Sequence, residues 1–131
     1  MSDLPVRKKH YKPWFNIDLR NLPLPGLVSI FHRVSGLFLF VMLFWLLWLL
    51  DTSLASPAGF AKVKGLLGHW FAKLVMLGLI WAYLHHFCAG IRFLLLDVHK
   101  GIELPIARAT SGWVFGVSLV LTALFAWRVL W

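Results

Sequence analysis

The chain has 131 residues, enough for one small domain, and 60% of them are hydrophobic, against roughly 45–50% in soluble domains. A soluble fold of this size has no interior able to hide so much apolar surface, so the composition excludes one and indicates a membrane protein. The net charge of +8 does not imply nucleic acid, because the 13 Lys and Arg are spread between apolar runs instead of gathered on one polar face.

About 33 residues precede the first strongly apolar stretch, too many for the n-region of a cleavable signal peptide, so none is expected. Residues 1–28 carry Pro13, Pro23 and Pro25 and read as an N-terminal segment, extended or partly helical, on the cytoplasmic surface. Residues 29–131 read as an anchor domain. Its uninterrupted apolar runs are Val34 to Leu50, Leu74 to Ile91 and Ala109 to Trp127, of 17, 18 and 19 residues. At about 1.5 Å per residue these cover about 26–29 Å, close to the hydrocarbon thickness of a bilayer. The runs lack the polar–apolar alternation of barrel strands. The expected fold is therefore all-α, with three transmembrane helices over about 29–50, 66–96 and 109–131, forming part of a heteromeric helix bundle.

The connection from Asp51 to Lys64, with Pro57 and Gly59, reads as a short exposed loop, and that from Asp97 to Arg108 contains Gly101 and Pro105. Nine basic residues fall on the side of the N-terminus and second connection, against four (Lys62, Lys64, Lys73 and Arg128) on the other. By the positive-inside rule the N-terminus is cytoplasmic and the C-terminus faces outward. The single cysteine, Cys88, lies inside an apolar run; it permits no disulfide within the chain and reads as a packing residue.

Two polar clusters interrupt this pattern. In "SIFHRVSG", residues 29–36, Ser29, His32, Arg33 and Gly36 fall at the i, i+3, i+4, i+7 spacing of one helical face. A charge inside a bilayer costs a few kcal/mol on insertion scales, so such a face normally looks into protein, water or a polar ligand. Arg33 alone would fit a snorkelling residue and Ser29 a helix cap, but snorkelling predicts no shared face. A ligand with acceptor oxygens, either a quinone carbonyl or a haem propionate, would satisfy Ser29 and Arg33.

The second cluster, "YLHHFCAGIR" at 83–92, submerges His85 and His86. A membrane histidine can be an axial haem ligand, a proton relay or an interhelical hydrogen bond. Gly78, Ala82, Ala89 and Gly90 share the face of His86 and leave a strip with little side-chain volume, suited to a flat macrocycle or to close helix packing. His85, about 100° away, lacks the strip and reads as a hydrogen bond to a neighbouring helix or subunit. His69 lies 17 residues before His86, about 25 Å along the helix, out of reach of the same iron. His32, nearer the cytoplasmic edge, suits a propionate better than the iron. A second axial ligand would come from another chain.

These motifs, together with "KPWFNIDLRNLPLP" and "SPAGF", resemble the larger, cytochrome b-type membrane anchor of succinate dehydrogenase (complex II), over nearly the whole length. The pairing of S-I-x-H-R-V-S-G with H-x-x-x-G-I-R and a following Asp carries the specificity. The resemblance implies that His86 is the axial ligand of a b-type haem shared with a smaller anchor subunit, that Ser29 and Arg33 belong to a ubiquinone site, and that His32, with Arg33, meets the haem propionates. It also implies a flavoprotein and an iron–sulfur subunit as partners, a place in the tricarboxylic acid cycle and respiratory chain, and a multi-pass location in a bacterial inner membrane in preference to the mitochondrial one. Catalysis would belong to the complex, not to this chain alone. Phe93 departs from the pattern, since several members have a histidine there. A fumarate reductase anchor and a non-redox structural subunit are the alternatives; a self-contained di-haem cytochrome would need paired core histidines, which the sequence lacks.

Overall fold

The structure, a computed structural model, describes residues 22–130. Residues 1–21 of the expected cytoplasmic segment, with Arg7, Lys8, Lys9, Lys12 and Arg20, lie outside the described residues, and its last five residues belong to the first helix. Four helices follow in order: α1 (Leu24–Ala55), α2 (Pro57–Gly68), α3 (Trp70–Asp97) and α4 (Leu104–Leu130). Three of them, α1, α3 and α4, are long and apolar enough to cross a membrane. The all-α, three-span architecture expected from the sequence is therefore present.

The helix ends differ from those expected, for local reasons. Pro25-Gly26 looks like a turn in the sequence, but Pro25 sits in the first turn of α1, where a missing N–H costs nothing, and the Gly26 N–H bonds the Pro23 carbonyl at 2.8 Å. The exposed loop expected between 51 and 64 is instead the end of α1, a one-residue corner and α2. Ser56 makes that corner: its hydroxyl accepts the Gly59 N–H at 3.0 Å as an N-cap, and Pro57 follows at the first helical position. His69 sets the start of α3 in the same way, its Nδ1 accepting the Phe71 N–H at 3.3 Å. At the other end, His99 (φ 60°) and Gly101 (φ 76°) turn the chain through left-handed conformations, and the Lys100 N–H bonds the Leu95 carbonyl at 2.9 Å.

Gly59 is fixed by close approach. A Cβ at this position would collide with the backbone carbonyl of Thr52, whereas one at Gly65, on the same helix, would meet nothing within 4 Å. Gly59→Ala should cost about 1–3 kcal/mol through overpacking, lowering the thermal midpoint of the detergent-solubilised protein. Gly65→Ala should leave the midpoint unchanged or slightly raised.

Among the spans α3 is central, packing extensively on both α1 and α4, which touch each other less. Val28, Ser35 and Leu49 are buried on α1, one and then two heptads apart, so one narrow stripe of this helix faces its own chain. Only 11% of the most apolar window of α1 is buried, against 28% for α4, so α1 offers most of its surface to lipid or to other polypeptides.

The buried stripe of α4 is Ser111, Val114, Ser118, Thr122 and Ala126, small residues that let backbones approach. Its hydroxyls return to their own helix: Ser111 to Ala107, Ser118 to Phe115 and Thr122 to Ser118 carbonyls, at 2.6, 3.1 and 2.7 Å. Arg92 crosses from α3 to this helix, its Nε donating to Thr110 Oγ1 at 3.1 Å and its Nη2 to the Ala107 carbonyl at 3.3 Å. Its hydrogen bonds run to α4 and none to Asp97, which is exposed. Cys88 packs against Val28, Ala89 and Val114, as a packing residue should.

Candidate functional site

Turning by 100° per residue, the α1 side chains pass in order from Ser35 through His32, Gly36 and Ser29 to Arg33. Burial follows the same order. Ser35 is buried, His32, Gly36 and Ser29 are half-buried, and Arg33 is exposed. The four residues expected on one face therefore do share it, and that face is the flank of the buried stripe, opening outward at Arg33. Neither Ser29 nor Arg33 forms a side-chain hydrogen bond or ion pair among the described residues.

His86 of α3 meets this flank. Its ring lies on that of His32, with centroids 4.1 Å apart and planes 10° from parallel. Its Nδ1 is 3.0 Å from the His32 carbonyl oxygen and 3.3 Å from Ser35 Oγ, whose own proton points at that same carbonyl at 3.0 Å. A carbonyl oxygen can only accept, so Nδ1 must carry the proton. With the proton on Nδ1, a neutral imidazole carries its lone pair on Nε2, which no hydrogen bond reaches among the described residues. Gly36 allows the approach, since a Cβ there would lie 2.9 Å from His86 Cε1.

The small-residue strip beside His86 is only partly what the sequence suggests. Ala82 and Ala89 are 3% and 0% exposed and belong to the chain's own packing. At 100° per residue they lean from His86 toward His85, the side that faces the core. Gly78 remains open, with nothing within 4 Å of a Cβ built on it, and Gly90 has the His32 ring 3.8 Å away. Phe93 packs against His32 with ring centroids 5.1 Å apart.

His85 faces α1, where the Val28 backbone is its polar neighbour. It is fully buried among Phe31, Trp81 and Phe115, with ring centroids 6.0, 5.3 and 5.0 Å away. Neither of its nitrogens makes a hydrogen bond of full geometry among the described residues. This places it inside the chain's own core, where another subunit cannot reach it. Ser35 is the opposite case, a site residue that spacing alone does not single out; its one sequence signal is its place in S-I-x-H-R-V-S-G, three residues after His32.

This donor set suits an iron that arrives in a macrocycle better than a bare ion. No group of three His, Cys, Asp or Glu that could hold a metal occurs among the described residues. A porphyrin brings four nitrogens of its own and asks a polypeptide only for axial side chains. One imidazole, oriented through Nδ1–H and half-buried in a membrane span, fits that request.

Residues 8–125 match the protein family described as succinate dehydrogenase/fumarate reductase transmembrane subunit. The chain belongs to that family. Among its curated relatives are succinate dehydrogenase cytochrome b556 subunits of several bacteria. That of Coxiella burnetii is 34% identical over 86% of this chain and 94% of its own length. That of Paracoccus denitrificans is 29% identical over 83% and 84%. That of Rickettsia felis is 25% identical over 86% of each. As a family member with three apolar spans, the chain is a transmembrane anchor subunit, and the matched residues include both α1 and α3 clusters.

Proposed function

We propose that this chain is the cytochrome b anchor of a bacterial succinate:quinone oxidoreductase in the inner membrane, with its N-terminus cytoplasmic. It ligates one haem b through His86, shares that haem with a small anchor subunit, and contributes Ser29 and Arg33 to a ubiquinone-reduction site. A flavoprotein and an iron–sulfur subunit complete the complex. The observation that carries the reading is the state of His86: Nδ1–H is held by the chain and Nε2 is left as a donor atom. The names of the relatives supply the reaction and the class of haem.

When bound, the haem supplies one-electron redox chemistry. The chain's own residues account for the rest. His86 offers Nε2, and the His32 carbonyl and Ser35 hydroxyl orient it. His32 and Arg33, at the half-buried and exposed parts of the flank, are placed for propionate carboxylates. Ser29 and Arg33 donate to quinone oxygens, where negative charge grows during reduction, and donors fixed beforehand favour that step. A fumarate-reducing direction stays open as a second reading because the family's own description covers both enzymes.

The test is a reduced-minus-oxidised spectrum of the complex purified through this chain, with its companions identified. A b-type spectrum, quinone-dependent succinate oxidation and three further subunits are expected. A colourless preparation indifferent to quinones would overturn the proposal in favour of a purely structural subunit.

A further inference from the structure

We infer that Ser35 is the positioning residue for His86, holding the Nδ1–H so that Nε2 keeps the lone pair. This rests on the reading of His86 as an axial ligand. Ser35 is 4% exposed, on the stripe it shares with Val28 and Leu49, where an apolar side chain would be the ordinary choice. Its hydroxyl meets its hydrogen-bond need inside α1, by donating to the His32 carbonyl at 3.0 Å. That bond turns the oxygen lone pairs toward α3, where His86 Nδ1 lies 3.3 Å away, 51 residues along the chain.

Two acceptors, the His32 carbonyl and the Ser35 hydroxyl, thus converge on one N–H. Flipping the imidazole by 180° would set a C–H against both oxygens and cost the imidazole N–H both of its acceptors. The pair therefore fixes both the tautomer and the plane of the ring. An acceptor on the distal nitrogen also makes an imidazole a stronger metal donor, which favours the ferric state. The carbonyl cannot be removed by substitution, but the hydroxyl can. Ser118 is the internal control: fully buried, it makes the same kind of bond to its own helix, to Phe115 at 3.1 Å, with no side-chain partner on another helix among the described residues.

The experiment compares Ser35→Ala, Ser35→Cys, Ser35→Thr, Ser118→Ala and His86→Ala in the assembled complex. It reads haem per complex, the ferric EPR g-values and the haem midpoint potential. Ser35→Ala and Ser35→Cys leave the His32 carbonyl as an acceptor for Nδ1, so they should keep most of the haem, shift the g-values and raise the midpoint; Ser35→Thr, which restores a hydroxyl, should return both toward wild type. Ser118→Ala should change nothing. Wild-type g-values and midpoint in either Ser35→Ala or Ser35→Cys would overturn the inference, and so would an equal shift in Ser118→Ala. A wild-type haem spectrum in His86→Ala would instead sink the axial reading, which separates the two failures.

Discussion

Replacing His86 by alanine should empty the complex of its b-type haem while leaving the anchor in the membrane. Losing an outer partner of a metal ligand typically costs about 10–100-fold in metal affinity, so losing the ligand itself should lower retained haem by about tenfold or more. The spans should survive, because His86 is half-buried at the flank of the bundle, and the core runs through Val28, Ala89 and Val114. The local effect is the loss of the stacked ring over His32 and of one donor to its carbonyl. The measurement is the pyridine haemochrome content of purified complex, normalised to the flavoprotein. His85→Ala is the informative neighbour. It removes a fully buried ring from a contact with three aromatics and should cost stability, about 2–5 kcal/mol by analogy with other large-to-small core changes, with haem content per assembled complex kept. A complex that keeps its haem in His86→Ala and loses it in His85→Ala would exchange the roles of the two histidines.

That contrast marks where the sequence is readable and where it is not. The spans are legible because charges interrupt apolar runs and a bilayer sets their minimum length. Helix ends are less so, since Pro25 and Pro57 look like breakers in one dimension but occupy first turns in three. The shared face of Ser29, His32, Arg33 and Gly36 follows from helical geometry and is observed. Which flank of α3 is buried does not follow from periodicity, because α3 is apolar all round; Ala82 and Ala89 read equally well as a cleared strip and as helix packing. The Ser35–His86 contact joins residues 51 apart, and the Arg92–Thr110 bond joins two helices. Such pairings depend on how α1 and α4 dock onto α3, which no local pattern specifies. The familiar arginine of H-x-x-x-G-I-R accordingly serves here as a clamp between α3 and α4.

Arg33 should be the most demanding residue at the quinone end. It is exposed and without an ion pair among the described residues, so Arg33→Leu removes a charge near the membrane boundary at little cost to the fold. If Arg33 donates to a quinone oxygen on which charge develops, Arg33→Leu should lower succinate:quinone reductase activity by about 10²-fold, the scale seen for the loss of one donor to a developing oxyanion. Succinate oxidation by an artificial soluble acceptor should continue at the wild-type rate, because that reaction needs neither Arg33 nor the membrane site. Ser29→Ala, one helical turn away on the same face, should show the same split with a smaller loss. Arg33→Lys separates this role from snorkelling. A lysine snorkels as well as an arginine but replaces a planar fork of five donors with a point charge, so full recovery in Arg33→Lys would argue for snorkelling alone. Partial recovery, with quinone reduction still well below wild type and the soluble-acceptor rate intact, is the expected result, because directed hydrogen bonds to the quinone are what the guanidinium contributes beyond its charge.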